Sequence, residues 1–279
     1  MGRDLDFCRT VERSISHTYR KELWAPFVQA IKEYKLLQPN DNVAVCISGG
    51  KDSILLAKLM QMLQRYSDFP FGLKFIVMDP GYRKENIKQI RCNLDKLEIK
   101  ADFFEKKIFD VADKSGTSPC FLCARMRRGA LYSKAKELGC NKIALGHHLN
   151  DIIETTLIGM MYAGKIDGML PRIKSTNFEN MELIRPMALI KERDIIRWQN
   201  YNKLEFIQCA CRVAEKAKDG ELGSKRQEIK ELIADLKKTN PTIETNLFNS
   251  LSNANADTMY GYQLDCEHHS FLERFGKTD

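Results

Sequence analysis

A short β-branched run from Val43 to Ile47 passes into Ser48-Gly-Gly-Lys-Asp-Ser53 and then into the helical pattern Ile54-Leu-Leu-Ala-Lys58. That order reads as a buried strand, a tight glycine turn and a helix start, which is the grammar of alternating α/β folds. A chain laid out this way aims successive backbone N–H groups outward at the turn and the helix N-terminus, where the helix offers them no partner. Such a terminus favours an anion. Gly49 and Gly50 let a phosphate approach the backbone with no Cβ in the way. Lys51 adds a point charge, Ser48 and Ser53 add hydroxyl donors, and Asp52 can orient the loop or contact a metal bound to the phosphate. The segment does not follow the commoner nucleotide loop, which requires Gly-x-x-x-x-Gly-Lys-Ser/Thr.

Strand and helix patterns alternate through the rest of the chain. Helical spacing over about Phe7 to Leu37 precedes the first strand, and a helix over Ser53–Tyr66 follows it. Further strands are expected at Lys74–Met78, Lys100–Phe104 and Lys142–Gly146, with short extended pieces at Leu183–Pro186 and Phe206–Cys209. Helices are expected at Asn86–Leu97, Arg127–Leu138, Asp151–Met161 and Lys191–Tyr201, and a polar helical tail runs to Lys238. The implied architecture is a doubly wound parallel α/β sheet with helical N- and C-terminal extensions. Its expected divisions are residues 1–38, 39–211 and 212–279. Ligands of such sheets gather at the carboxyl ends of the strands, and the best motifs of this chain lie there.

The 279 residues are 43% hydrophobic and 29% charged, the balance of a globular protein, and no apolar run reaches the length needed to span a bilayer. The N-terminus lacks the apolar core of a secretory signal, so a cytoplasmic protein with no membrane partner is expected. Net charge is +7, and from Lys114 to Lys136 basic residues occur with no acidic residue between them. Solvated helix faces mix signs, so this segment points to a phosphate-rich partner. With no export signal, the nine cysteines are better suited to metal, cluster or catalytic use than to disulfides.

Cys120 and Cys123, in Pro119-Cys-Phe-Leu-Cys123, have the spacing of a metal half-site or a redox pair. Arg125, Arg127 and Arg128 follow at once. Two thiolates need further ligands, which Cys209 or Cys211 can supply; the residues alone do not choose between them. Cys46, inside the first strand, reads as core, and Cys8, Cys92, Cys140 and Cys266 as incidental. A third constellation spans Gly146, His147, His148, Asp151 and Glu154, where a strand ends and a helix begins. Asp151 suits the helix dipole and shares a face with Glu154. Histidines in a capping loop are usually structural, although His-His with Asp and Glu also invites a metal. Asp79, at the end of the second strand, is either a nucleotide-facing acid or an Asp-Pro turn former.

The loop Ser48–Ser53 resembles that of the PP-loop (N-type) ATP pyrophosphatases. Together with Pro119–Gly129, Gly146–Thr155, Met169–Pro171 and Ile184-Arg-Pro-Met-Ala188, it resembles the TtcA-type tRNA 2-thiocytidine synthetases over roughly Asp41 to Arg212. The resemblance implies ATP with Mg2+ on Ser48, Gly49, Gly50, Lys51, Asp52 and Ser53, flanked by Asp79, Gly146, His147 and Asp151. It implies a base carbonyl adenylated and its oxygen replaced by sulfur, most simply giving 2-thiocytidine at position 32 of the tRNA anticodon loop. Lys51, Asp52, Cys120 and Cys123 would then be catalytic, and Cys120, Cys123 and Cys209 would hold a [4Fe-4S] cluster with one iron open. Arg125, Arg127 and Arg128 would steer tRNA. A cysteine desulfurase or inorganic sulfide as sulfur donor, and a homodimer, complete the expectation. One departure stands out: the family's last cysteine motif, Pro-Cys-x-x-Cys-Gly, is replaced here by Gln208-Cys-Ala-Cys-Arg212. The flanking zinc-finger cysteine pairs of related 2-thiouridine enzymes are missing. Three rivals remain: a persulfide carried directly on Cys120 or Cys123, a PP-loop sulfurtransferase acting on another base or a small molecule, and a non-catalytic nucleotide-binding protein with zinc on Cys120, Cys123, Cys209 and Cys211.

Overall fold

The computed structural model describes residues 6–106, 108–109, 119–207 and 225–275. Two compact units divide the chain, Met1–Glu228 and Ile229–Asp279. The first begins with helices α1 (Phe7–Arg13) and α2 (Ala25–Glu33), joined by two wide turns of π-helix. Then come β1 (Asn42–Ile47), α3 (Lys51–Tyr66), β2 (Gly72–Asp79), α4 (Lys84–Lys96) and β3 (Ala101–Glu105). After these follow α5 (Pro119–Glu137), β4 (Lys142–Ala144), α6 (Leu149–Ala163), β5 (Arg172–Lys174), β6 (Glu182–Ile184) and α7 (Glu192–Tyr201).

The described strands of this unit form one sheet in the order β3–β2–β1–β4–β6–β5. All pairings are parallel except β5 with β6. β1 shows why helices must cover both faces. Val43, Val45 and Ile47 enter one core with α3, α4, α7 and the N-terminal helices, whereas Ala44 and Cys46 enter a second with Tyr132 and Ala135 of α5. Alternate side chains of a strand point to opposite faces, so a run apolar at every position has to be covered twice. The N-terminal helices are anchored in the first core through Val11, Ile15, Leu23 and Phe27, and Trp198 of α7 donates its indole N–H to Ser14 Oγ at 3.1 Å.

From β1 the chain winds outward to β2 and β3, then returns to the other side through β4 and β6. The reversal lies between β1 and β4. In an open sheet the loops diverge at that point and leave a crevice. The loop Ser48–Ser53 leaves β1 there, and the turn Gly146–His148 leaves β4 beside it. At the opposite edge of these strands, Lys142 is buried and fully paired, with Asp41 at 3.1 Å, Glu182 at 2.9 Å and the Leu36 carbonyl at 3.0 Å.

Three local expectations need correcting. The helix expected from Arg127 begins at Pro119, so Cys120 and Cys123 ride its first turns rather than a loop. Phe206 and Ile207 form no strand, and Gln208, Cys209 and Cys211 lie outside the described residues. The antiparallel β5 was not foreseen. The second unit holds most of α8 (Lys225–Thr239), α9 (Ile243–Ser250), a hairpin of β7 (Gly261–Leu264) and β8 (Glu267–Ser270), and α10 (Leu272–Phe275). The hairpin too was unforeseen. No helix of the described residues is long and apolar enough to cross a membrane.

Candidate active site

The loop after β1 is built around Gly49 and Ser53. Gly49 has φ +87°, and a Cβ there would lie 2.5 Å from Ile90 Cγ1. Both backbone handedness and space therefore require glycine. Gly50 differs: its φ is negative, and its nearest neighbour to a Cβ would be Ser48 Oγ at 3.8 Å. Ser53 closes the loop. Its Oγ donates to the Gly50 carbonyl at 2.9 Å and accepts from Ser48 N at 3.1 Å and Ser48 Oγ at 3.2 Å. Gly146 brings the β4 turn against the first turn of α3, where a Cβ would meet the Asp52 carbonyl carbon at 3.0 Å.

A paired substitution separates these glycine roles. Gly49→Ala is expected to destabilise the protein by about 1–3 kcal/mol from strain and overlap. Gly50→Ala is expected to melt within about 0.5 kcal/mol of the parent, yet to weaken ATP binding because its methyl stands where phosphate must approach. Thermal unfolding and equilibrium dialysis with ATP check the pair; equal melting points for the two variants would contradict the assignment.

Lys51 Nζ is held 3.2 Å from Asp52 Oδ2 and 3.0 Å from Glu192 Oε1 of α7. Burial opposes its charge, but the two carboxylates outweigh burial and hold the ammonium above its usual range. Burial pushes the Asp52 carboxyl up, against the pull of His148 and Lys51. Asp52 Oδ1 is buried and has no hydrogen-bond partner. A carboxylate oxygen withdrawn from water and left unsatisfied is costly unless a ligand completes it.

His148 is the N-cap of α6, so the structural reading of the histidine pair holds for it. Its Nδ1 accepts from Asp151 N at 3.3 Å, and Asp151 Oδ2 accepts from His148 N at 3.1 Å. This capping box fixes the ring, so a ring proton sits on Nε2, which faces Asp52 Oδ1 at 3.8 Å and Glu192 Oε1 at 4.0 Å. Asp151 Oδ1 and Glu154 do share a face, and Arg226 at the start of α8 reaches both, at 3.2 and 3.5 Å. His147 Nδ1 accepts from Arg185 Nε at 3.3 Å, and burial lowers its pKa to about 4. Asp79 forms a turn: its Oδ1 accepts from Gly81 N at 2.9 Å and Tyr82 N at 2.7 Å.

Of these groups, Asp52, Ser53, Gly146, His147, Asp151, Arg185 and Arg226 border a cleft of about 1040 Å³. One wall is the phosphate loop with Ser48, Asp52 and Ser53; the other is α5, with Ala124, Arg127, Arg128 and Leu131. Cys120 lies in the first turn of the same helix. Cys123, half-buried, stands one turn before Arg127. Arg125 is exposed and does not border the cleft, unlike Arg127 and Arg128. Sequence reasoning assigned no site role to Arg185, Glu192 or Arg226, and to His148 only the metal alternative weighed against a structural one. Arg226 had no signal apart from ordinary helix charge; Arg185 stood in the quoted Ile184–Ala188 segment, with Glu192 and Asp194 following it among the family matches, and neither Arg185 nor Glu192 was given a role.

A doubly wound sheet with a glycine loop at its point of reversal, a fixed lysine beside it and an orphaned acid defines a phosphate-binding α/β enzyme. The family model of the PP-loop domain matches residues 17–213. A tRNA-cytidine(32) 2-sulfurtransferase of Coxiella burnetii (strain RSA 493 / Nine Mile phase I) is 32% identical over 92% of this chain and 95% of its own length. The tRNA-cytidine(32) 2-sulfurtransferase 1 of Francisella philomiragia subsp. philomiragia is 37% identical over 87% and 93%. The solved U34-tRNA thiolase NcsA from Methanococcus maripaludis, with its [4Fe-4S] cluster, superposes with a TM-score of 0.66 at 22% identity, covering 87% of this chain and 81% of that one. That likeness shows a shared fold. The chain belongs to the PP-loop family and, within it, to the family of the tRNA-cytidine(32) 2-sulfurtransferases.

Proposed function

We propose that this protein uses ATP to replace O2 of cytidine 32 in tRNA by sulfur. The carrying observation is the cleft itself: a phosphate-binding loop on one wall faces a helix bearing the Cys-x-x-Cys pair and two arginines on the other. Relatives that bear this activity in their names match nine-tenths of the chain, which supports the choice of base.

The chemistry divides between the walls. ATP lies with its phosphates on the N–H groups of Gly49 to Ser53. The cytosine O2 attacks the α-phosphorus, the bond to the β-phosphate oxygen breaks, and pyrophosphate leaves beside Lys51. Sulfur then adds to C2, and the C2–O2 bond breaks as AMP departs with the oxygen. Charge grows on the leaving phosphates in the first step, where a fixed ammonium is most effective. Asp52 Oδ1 is the protein oxygen that fits Mg2+, since it is buried and unsatisfied. Among the described residues no cluster of three or more ligating side chains is close enough to hold a metal. That suits Mg2+, which draws most of its ligands from phosphate and water. Two thiolates at i and i+3 on one helix fit a cluster as a donor pair, with Cys209 as the third expected ligand. When bound, the cluster supplies the sulfur for the replacement. Reaching C2 requires the base to leave its stack.

Incubating the protein with ATP, Mg2+, sulfide and tRNA transcripts under anaerobic conditions, then digesting to nucleosides, tests the reading. The expected product is 2-thiocytidine, lost when position 32 of the transcript is changed to uridine. Thiolation of another base with cytidine 32 untouched would overturn the substrate assignment.

A further inference from the structure

Arg185 follows β6, two strands from β1 across β4, at the same carboxyl edge of the sheet as the phosphate loop. Strands lie about 4.8 Å apart, so its strand stands roughly 10 Å from that of the loop. It is on the opposite side of the loop from β2 and Asp79. Its guanidinium is held by two uncharged acceptors: Nε donates to His147 Nδ1 at 3.3 Å, and Nη1 donates to the Leu170 carbonyl. Arg185 borders the cleft together with Arg127 and Arg128.

These three arginines border one cleft and have no carboxylate partner there. Among the described residues, Arg172 pairs with Glu182 at 2.8 Å, Arg226 with Asp151 at 3.2 Å, and buried Lys142 with Asp41 and Glu182. No carboxylate of the described residues lies within ion-pair distance of Arg127, Arg128 or Arg185. Like charges brought together and partly desolvated repel each other unless an anion joins them. At Arg185 burial lowers the pKa to about 10; Tyr132 and Asp151 oppose that shift and the nearby Arg128 adds to it. It still carries its charge at neutral pH. His147, with its pKa depressed by burial, remains an uncharged acceptor that orients the guanidinium without adding to the repulsion.

We propose that Arg185 binds a backbone phosphate of the acceptor RNA next to the extruded nucleotide, completing a subsite with Arg127 and Arg128. This rests on the function proposed above. The planar fork suits a phosphodiester, which two of its N–H groups engage at once. The location favours RNA over ATP: Lys51 and the loop already serve the triphosphate, and the companions of Arg185 are the α5 arginines across the cleft.

Binding of a tRNA transcript to the full chain, followed by fluorescence anisotropy over a range of salt, reads the contact directly. Arg185→Gln is expected to weaken tRNA binding about tenfold, the scale of one charged hydrogen-bonded contact. The slope of log affinity against log salt should fall by about one. Arg185→Lys keeps the charge and should keep the slope while losing part of the affinity. The ATP dissociation constant should not move in either variant. Arg65→Gln, at the far end of α3 from the loop and paired there with Glu12, is the control and should leave the slope unchanged. As a second measurement, neutral methylphosphonates placed singly near cytidine 32 in an anticodon stem-loop should include one that weakens wild-type binding. That position should have no further effect in Arg185→Gln or, if the glutamine variant does not fold, a smaller effect in Arg185→Lys. An unchanged slope in Arg185→Gln overturns the proposal. So does a loss of ATP affinity with tRNA affinity intact, which would assign Arg185 to the nucleotide. Wild-type protein that binds no tRNA would refute the proposed function itself, and that result is read before any variant is made.

Discussion

Lys51→Ala is expected to lower ATP-dependent pyrophosphate release by at least about 100- to 1000-fold, the scale of losing one preorganised charge at a transition state. The structure argues for the upper end. The ammonium is wedged between Asp52 at 3.2 Å and Glu192 at 3.0 Å. Its removal leaves two carboxylates facing the place where a triphosphate must sit. The variant therefore loses an attraction and gains a repulsion, and both ATP affinity and the chemical step should suffer. The double substitution Lys51→Ala with Glu192→Gln separates these effects. Cancelling one carboxylate charge should recover ATP affinity, whereas turnover at saturating ATP should stay low. A Lys51→Ala enzyme with normal turnover at saturating ATP and only a raised KM would reduce Lys51 to a binding residue.

The core of this fold was legible because its signals are local. Val43 to Ile47 is apolar at every position, which only a strand covered on both faces can sustain, and the two cores that divide its side chains show that covering. The glycine turn was equally plain: the φ of Gly49 and its contact with Ile90 are the physical content of what the spacing suggested. α5 was misread at its start for a good reason. Its cleft-facing stripe carries Ala124 and Arg127 in place of a continuous apolar ridge, so helical periodicity emerges only where Leu131 and Tyr132 reach the core. β5 has three residues, of which only Ile173 is apolar, too little for a strand pattern to register.

The site was half legible. Residues within the loop announced themselves, but their partners come from far away in the chain. Glu192 is 141 positions from Lys51, and Arg226 is 75 from Asp151. An acid in the first turn of α7 reads as dipole compensation until folding sets it against Lys51. Arg185 is the sharper case. Nothing in one sequence tells a paired arginine from one that lacks a carboxylate, and that difference is what gives it meaning here.

Cys123→Ala and Cys120→Ala are expected to abolish 2-thiocytidine formation while leaving ATP binding intact. The loss should exceed the roughly 100-fold that follows removal of even a supporting hydrogen-bond partner in a metal site. ATP binding should survive because the loop is assembled by Ser48, Gly50 and Ser53 with Gly146 packed behind it, and no cysteine of α5 is part of that network. The core cysteines provide the contrast. Cys46 and Cys140 are buried, and burial pushes both thiols above their usual range, which suppresses the thiolate that metals and sulfur transfer require. Cys140→Ala should cost stability, since its side chain fills the second core away from the cleft, and should leave product formation and iron content per folded chain unchanged. Iron, sulfide and zinc analysis of protein kept from air, run beside nucleoside digestion for each variant, makes the comparison. Cys123→Ala protein that still thiolates tRNA would remove the α5 pair from the reaction. One zinc per chain with no iron in fully active wild-type protein would instead put the pair to structural use and move sulfur delivery elsewhere.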